Sequence, residues 1–463
     1  MLTFCFSIRK NAIHAKEEVF CCVEAVKHPS CARDQGFSTL LIAYMRFVLV
    51  GIVFRRRFAS KMGLENVSAG NTSSRAGVVI VADDLTGACD AAVAFSCQGV
   101  ETEVVLNWRC ARNSSAEVVA IDTESREIPV QEAVTRLESV SRQLDLKAFV
   151  HIFKKVDSVF RGNTFDEIAT TVREFPSDLA IMAPAYPALG RTSMDGIVRV
   201  HDIVGERTFA VWDRLHAAGL HPRHIPAGRT SEEVAGALRV SLQEGHRFVY
   251  CDAYSEEDLH AVVRGGEKLE VRILWIGSAG LAHALALNMS SDIGKHLSFR
   301  PGQVPRVAPS SGIVVFFVGS DHPVTQEQMI SLRKQTNVIE HSFEAPLSIK
   351  TKFIGPLVVP VRWGYTTERD ICSAMEGLNQ QDVSCLFITG GNSATLVCRA
   401  LGINSLQLQD EFEPGLPCGV AVDGPFAGRT VILKSGGFGE TDVLCRIAKT
   451  YQPDSHRKIE DAH

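Results

Sequence analysis

The chain has 463 residues, 45% of them apolar and 22% charged, with a formal net charge of −5, and is long enough for two or three domains with their own cores. These are the fractions of an ordinary globular protein, and with no dominant basic stripe, nucleic acid is excluded as the expected partner. The 13 cysteines never form a Cys-x-x-Cys pair. Single thiols such as Cys97, Cys398 and Cys445 therefore read as small core residues in a reducing, cytoplasmic setting.

The first 76 residues differ in kind from the rest. They carry 11 Lys and Arg against 5 Asp and Glu, and Cys5, Cys21, Cys22 and Cys31 crowd there. The apolar run from Thr39 to Phe54 spans 16 residues, has Arg46 at its middle and ends on Arg55-Arg56-Arg57. It is too short and too costly for a membrane span, and its basic side follows the apolar run, the wrong order for a secretory signal. A transit peptide and a plain upstream extension are the readings left. Residues 1–76 are taken as an extension without a functional fold, the working protein beginning near Met62 and Asn66 to Ala76 forming a polar leader.

Order is expected from Gly77. Val78 to Ala82 is a continuous β-branched run, the mark of a strand buried on both faces, and an Ala-rich helical stretch, Asp90 to Gln98, follows it. Glu103 to Leu106, Val118 to Ile121, Val150 to Phe153, Leu179 to Met182 and Ile273 to Ile276 read as further buried strands. Val130 to Leu144 and Leu281 to Asn288 read as helices between and after them. Asp292 to Gly312, with Pro301, Pro305 and Pro309, is the linker candidate. Beyond it the pattern restarts at Ile313 to Val318, Leu357 to Pro360, Cys385 to Thr389 and Val431 to Lys434. The expected architecture is α/β: two α/β domains, residues 77–298 and 311–452, with mainly parallel sheets facing a central cleft. Ligands in such sheets lie beyond the carboxyl ends of strands.

Four clusters occupy that position. Asp83-Asp84-Leu85-Thr86-Gly87 offers two carboxylates that could bind Mg²⁺, act as a base, grip sugar hydroxyls or cap the next helix. Position 82 is Ala, which excludes the Asp-x-Asp-x-Thr pattern of haloacid-dehalogenase phosphatases. Lys154 to Asn163 groups three cations with Asp157 and Ser158, and Lys155 or Arg161 could hold a small carboxylate; Arg126 in Asp-Thr-Glu-Ser-Arg is a similar candidate. Gly390-Gly391-Asn392-Ser393 and Lys434-Ser435-Gly436-Gly437-Phe438-Gly439 could close backbone N–H groups around phosphates, and Gly277-Ser278-Ala279-Gly280 has the same character. Glycine also serves tight turns through geometry alone. No P-loop, Gly-x-Gly-x-x-Gly fingerprint, Gly-x-Ser-x-Gly elbow or His pair with metal-ligand spacing is present.

In this order the segments VIVADDLTGACDAA, DTESR, KKVDSVFRGN, MAPAYPALGRTSMDG, GSAGLA, GSDHPVTQEQ, ITGGNSATLVCRALG and LKSGGFGETDVL resemble the four-carbon acid sugar kinase family, from about Gly77 to Arg446. The resemblance implies an N-terminal domain for a small-molecule sugar acid and a C-terminal nucleotide-binding domain, with ATP and Mg²⁺ as cofactors. The reaction implied is phosphorylation of the terminal hydroxyl of acids such as threonate, erythronate or their 3-oxo relatives. It places Asp83, Asp84, Arg126, Lys155, Val156, Asp157, Ser158 and Arg161 at the acid. Ser278, Gly390, Gly391, Asn392, Ser393, Gly436, Gly437, Phe438 and Gly439 fall at ATP. Asp84 and Asp157 are both candidates for the base, and no metal ligand is assigned. No membrane partner is expected, and a homodimer is the assembly considered.

The chain departs from the family pattern at Asn392-Ser393, where Asp-Thr is usual, and at Val159, where Thr is usual. The first change removes a carboxylate near the nucleotide. Lys155 and Arg161 resemble the threonate or erythronate type more than the 3-oxo type. Two rival readings keep the acid pocket: a sugar-acid-binding protein that has lost catalysis, and a phosphatase or aldol-type enzyme.

Overall fold

A computed structural model describes residues 75–202, 205–293, 312–343, 355–376, 378 and 380–452. The upstream extension thus lies outside the described residues except for Arg75 and Ala76, which belong to the first strand. The linker lies outside them except at its two ends.

The N-terminal half runs β1 (Arg75–Ala82), α1 (Leu85–Ser96), β2 (Thr102–Val105), β3 (Val118–Asp122), α2 (Val130–Gln143), β4 (Phe149–Lys155), α3 (Thr164–Glu174) and β5 (Leu179–Ala183). A three-stranded antiparallel arm follows, β6 (Arg191–Met194), β7 (Ile197–Asp202) and β8 (Gly205–Ala210). The half closes with α4 (Val211–Ala217), β9 (Arg223–Ile225), α5 (Ser231–Gln243), β10 (Phe248–Cys251), α6 (Glu256–Glu267), β11 (Ile273–Gly277) and α7 (Ala279–Ile293). The C-terminal half contains β12 (Ile313–Val318), α8 (Pro323–Gln335), β13 (Ile339–Glu340), β14 (Leu357–Pro360), α9 (Glu368–Met375) and β15 (Val383–Thr389). It ends with α10 (Gly391–Ala400), β16 (Ser405–Glu411), β17 (Pro417–Ala421), β18 (Thr430–Lys434) and α11 (Val443–Tyr451).

The two halves share one 15-stranded sheet, in the order β13-β14-β12-β15-β18-β17-β16-β2-β3-β1-β4-β11-β5-β10-β9. Its strands are parallel except at β17 and β16, and β16 joins the halves by pairing antiparallel with β2, Leu406 opposite Val104. The carboxyl ends of the two halves therefore leave opposite edges of a flat sheet. Each neighbouring pair adds a twist of roughly 20–25°, so the steps from β15 across to β1 turn those ends toward a common cleft.

Alternation along the strands divides the core. One face carries a single cluster through both halves, including Ile80, Phe153, Trp275, Leu386 and Leu433. The other face carries two, around Val79, Ile152 and Leu274 in one half and Phe316, Phe387 and Ile432 in the other. The helix α1 is buried along its whole length, as its Ala-rich, apolar circumference requires, and packs on β3, β16, α7 and α10. It is the element both halves close upon.

The arm is absent from the sequence reading, although β7 alternates buried Val198 and Val200 with exposed Ile197 and Arg199. Asp252 anchors it, accepting from Ser193 Oγ at 2.5 Å and from the backbone N–H of Asp195 at 2.7 Å, with His224 Nε2 at 2.6 Å. Cys398 and Cys445 are buried as expected; Cys97 is exposed, its thiol bonded to Asp410 at 3.4 Å. It sits at the C-cap of α1, past the buried turns. Among the described residues no helix is long and apolar enough to cross a membrane.

Candidate active site

The ends of β1, β4, β12, β15 and β18, the loop after β3, and the arm surround one cleft of about 840 Å³. The first, second and fourth sequence clusters and the Gly390–Ser393 turn all line it, as do Arg126, Arg191 and His201. The Gly277–Gly280 turn does not. Ser278 is fully buried and donates to the carbonyl of Ala185 at 2.9 Å, so its hydroxyl serves the join between β11 and α7. Val156 is likewise buried and bonds β11 through its N–H.

Asp83 and Asp84 hold a guanidinium. Arg126 donates through Nε and Nη2 to Asp83 at 2.8 Å each, and through Nη1 and Nη2 to Asp84 at 2.6 and 2.8 Å. Asp84 also accepts from Thr86 Oγ1 at 2.7 Å and from the Gly87 N–H at 2.8 Å, capping α1. Burial alone would raise the Asp83 carboxyl, but Arg126 outweighs it and holds it below the usual range. Burial opposes charge on Arg126, and Asp83, Asp84 and Asp157 override that. The loop carrying Arg126 is fixed by Asn163, whose amide donates to the carbonyls of Ser125 and Ile128 at 2.9 and 2.8 Å. Gly162, at φ +68°, lets that loop approach: a Cβ there would lie 2.6 Å from the Arg126 carbonyl oxygen.

The second cluster splits between core and cleft. Lys154 pairs with Glu167 in the interior at 2.7 Å, both fully buried. Lys155 reaches the cleft, its Nζ 3.1 Å from the Val156 carbonyl and 3.7 Å from Asp90. Asp157 accepts from the N–H groups of Val159 and Arg161 and from the Arg161 guanidinium at 2.6 Å. Against its burial, Arg161 and Arg126 hold it well below the usual carboxylate range.

On the opposite wall, α10 opens on the cleft at Gly391, preceded by Gly390 at φ +100°, an N-terminus whose free N–H groups suit an anion. The hydroxyl of Ser393 is buried there without a hydrogen-bond partner. The Gly436–Gly439 loop is held from behind. Lys434 Nζ donates to Thr325 Oγ1 at 3.0 Å and to the carbonyls of Ser435 and Gly436 at 3.2 and 2.8 Å. The Gln328 amide donates to the carbonyls of Phe438, Gly439 and Glu440 at 2.8 to 3.0 Å. With those carbonyls drawn inward, the N–H groups of Gly436, Gly437 and Gly439 are left without a partner among the described residues, while that of Phe438 donates to the Ser435 carbonyl at 3.2 Å. The Lys434 ammonium thus lies behind the loop, and Lys434 does not line the cleft.

Sequence reasoning missed Asp90, Arg191, Thr325 and Gln328. The signal for Asp90 was a polar residue inside the otherwise buried α1; Thr325 and Gln328 stand on the buried side of α8, whose other polar residues are mostly exposed, and carry no such mark. Arg191 lay in the quoted MAPAYPALGRTSMDG segment with no element assigned to it. Its guanidinium lies 5.7 Å from the Phe438 ring, and its Nε has no partner.

Comparison with known proteins shows which family the chain belongs to. A family model described as a sugar-binding N-terminal domain matches residues 78–285, and one described as a nucleotide-binding C-terminal domain matches residues 364–444. A D-threonate kinase of Cupriavidus necator is 32% identical over 413 residues, covering 79% of this chain and 96% of the relative. The chain belongs to the four-carbon acid sugar kinase family. A D-threonate kinase of Salmonella typhimurium is 26% identical over 80% of this chain and 96% of its own, and a D-erythronate kinase of Heliobacterium modesticaldum is 24% identical over 80% and 95%. Solved structures from Salmonella typhimurium and Haemophilus influenzae share the fold with TM-scores of 0.65 and 0.59, each at 20% identity over 81% of this chain and the whole of theirs. As a member of this kinase family the chain is a phosphotransferase acting on an alcohol group, and neither rival reading is favoured.

A family kinase implies Mg²⁺. Among the described residues no three of His, Cys, Asp and Glu converge as a metal set, and the oxygens of Asp84 and Asp157 are occupied by guanidinium and backbone donors. These donors do not fit a resident ion. Mg²⁺ carried in on phosphates, needing few protein ligands, is compatible with them.

Proposed function

We propose that this kinase transfers the γ-phosphoryl group of ATP to the terminal hydroxyl of a four-carbon sugar acid of the threonate or erythronate type. The observation that carries the reading is the placement of two chemically different walls on one cleft. Lys155, Arg126, Asp84, Asp157, Ser158 and Arg161 form a charged wall, and two glycine turns line the other side. The relative at 32% identity is a D-threonate kinase, whereas a 3-oxo-tetronate kinase of Haemophilus influenzae is 23% identical, which favours threonate as the first acid to test.

In this reading the Gly390–Ser393 turn and the Gly436–Gly439 loop hold the phosphates through backbone N–H groups. Lys155 is the cation for the acid's carboxylate, because its nearest carboxylate lies at 3.7 Å while Arg126 and Arg161 are spent on Asp83, Asp84 and Asp157. Arg126 then acts by fixing Asp84 against the cleft. Asp84 and Asp157, the two candidate bases, orient sugar hydroxyls in this arrangement, since each already accepts several hydrogen bonds. Asn392 in place of Asp lowers the negative charge beside the phosphates and leaves the glycine framework intact. The hydroxyl attacks the γ-phosphorus in line and ADP departs.

Coupled assay of ATP consumption with D-threonate, D-erythronate and a 3-oxo-tetronate tests the proposal. Acid-dependent turnover, greatest with D-threonate or D-erythronate, is expected. ATP consumption unaffected by any of these acids rejects it.

A further inference from the structure

Phosphoryl transfer from a sugar hydroxyl needs somewhere for the hydroxyl proton to go, and a base needs a lone pair that is not already committed. Asp84 and Asp157 fail that requirement: both oxygens of each accept hydrogen bonds, at 2.6 to 2.8 Å for Asp84 and 2.6 to 3.2 Å for Asp157. Asp90 meets it. Four residues after Thr86 and three after Gly87, it stands on the same face of α1 as those two cleft-lining residues, and it lines the cleft itself. Its residue is 9% exposed, the buried Oδ1 has no hydrogen-bond partner, and Oδ2 has only its nearest cation, Lys155 Nζ, at 3.7 Å, beyond hydrogen-bond distance. A buried carboxylate with a bare oxygen costs stability. Nothing in the packing of α1, whose other residues beyond its first turn are each small or apolar, calls for one.

We propose that Asp90 is the general base of this kinase, resting on the reading of the cleft as a sugar-acid kinase site. The Asp90 carboxylate accepts the proton of the attacking hydroxyl as the bond from the hydroxyl oxygen to the γ-phosphorus forms. The bond from that phosphorus to the β–γ bridging oxygen breaks, its electron pair leaving with ADP, and the proton passes from Asp90 to solvent after product release. Lys155, beside Asp90 and on the acid's side of the cleft, brings the substrate's negative group to the distance at which its hydroxyl meets the Asp90 carboxylate.

The environment makes the Asp90 carboxylate a stronger base than an ordinary one. Burial raises the Asp90 carboxyl above its ordinary value; Lys155 works against this, Asp84 adds to it, and Arg191 and Asp157 oppose each other more weakly. Tyr186 and Glu411 also face it, and Glu411 is itself pushed up to about 6, by burial first and by Asp90 in part.

The test is the Asp90→Asn variant of the whole chain, nearly isosteric, with kcat and KM for both substrates measured across pH and ADP and acid binding measured by calorimetry. The expected result is a fall in kcat of about 10²- to 10⁴-fold, affinities for ADP and the acid within about threefold of wild type, and loss of the acidic limb of the pH–kcat/KM profile. A kcat close to wild type overturns the proposal, as does a retained acidic limb. A loss confined to KM for the acid overturns it in favour of a hydroxyl-gripping role, and joint loss of melting temperature and both affinities in favour of a structural one. Wild type inert toward every four-carbon acid defeats the parent reading instead, and is seen before the variant is made.

Discussion

Asp84 and Gly391 touch across the two halves: a Cβ built on Gly391 would lie 2.2 Å from Asp84 Oδ2 and 3.2 Å from Thr86 Oγ1. The first carboxylate motif after β1 and the first residue of α10 are thus one surface. Gly391→Ala cannot be absorbed by rotating Asp84, because Arg126 and Thr86 hold the same oxygen. Overpacking of this type costs about 1–3 kcal/mol, and a displacement near 1 Å in an active site costs about 10²-fold in rate. Gly391→Ala is expected to lose about that much kcat/KM while remaining folded. Gly236→Ala in α5 is the control, since its Cβ would meet nothing within 4 Å. Steady-state kinetics on both variants checks the contrast; equal effects would show that the Asp84 contact does not matter.

Arg126→Ala is expected to damage the fold before it damages substrate binding. It strips Asp83 and Asp84 of their shared cation while leaving both buried, and breaking a buried pair from one side costs about 3–5 kcal/mol. Urea unfolding should show that loss, and Arg126→Ala combined with Asp83→Asn should recover part of it. An unfolding midpoint equal to wild type, with only the KM for the acid raised, would show instead that Arg126 is free to grip the substrate.

Lys434 makes stability depend on pH. Burial pulls its ammonium from an ordinary 10.5 down to about 7, and Glu413 offsets this only in part. Below pH 7 folded and unfolded chains both carry the proton, so the folded state bears the full cost of burying the charge. Between pH 7 and 10.5 the unfolded chain binds more protons than the folded one, and stability rises with pH. Relative to Lys434→Met, the wild type should therefore gain about 1.4 kcal/mol per pH unit across that window. Denaturant unfolding of both proteins at pH 6.5, 8 and 9 measures the difference, and a constant gap rejects the buried-lysine account.

The alternation of β-branched runs with helical stretches was enough to place β1, β3, β4, β5, β11, β12, β14, β15 and β18, because a strand buried on both faces leaves an uninterrupted apolar run. The same logic put the carboxylate and glycine clusters at strand ends, where ligands of such sheets bind. What those residues do there is decided by partners remote in sequence. Arg126 looks from its motif like a free cation for a substrate; only the fold brings Asp83 and Asp84, more than 40 residues earlier, around its guanidinium. Lys434 looks like a phosphate ligand until Thr325 and the inward-turned carbonyls claim it. Ser278 follows a strand into a glycine turn as the others do, yet the packing of that turn on Ala185 keeps it out of the cleft. Asp90 carries no local mark beyond being an acid in an apolar helix, and its bare oxygen exists only because the surrounding elements close over it. The periodicity of the chain thus determined these strands and which of their ends carry the clusters. Hydrogen-bond occupancy, which depends on which distant groups are brought within about 3 Å, was settled by the tertiary structure alone.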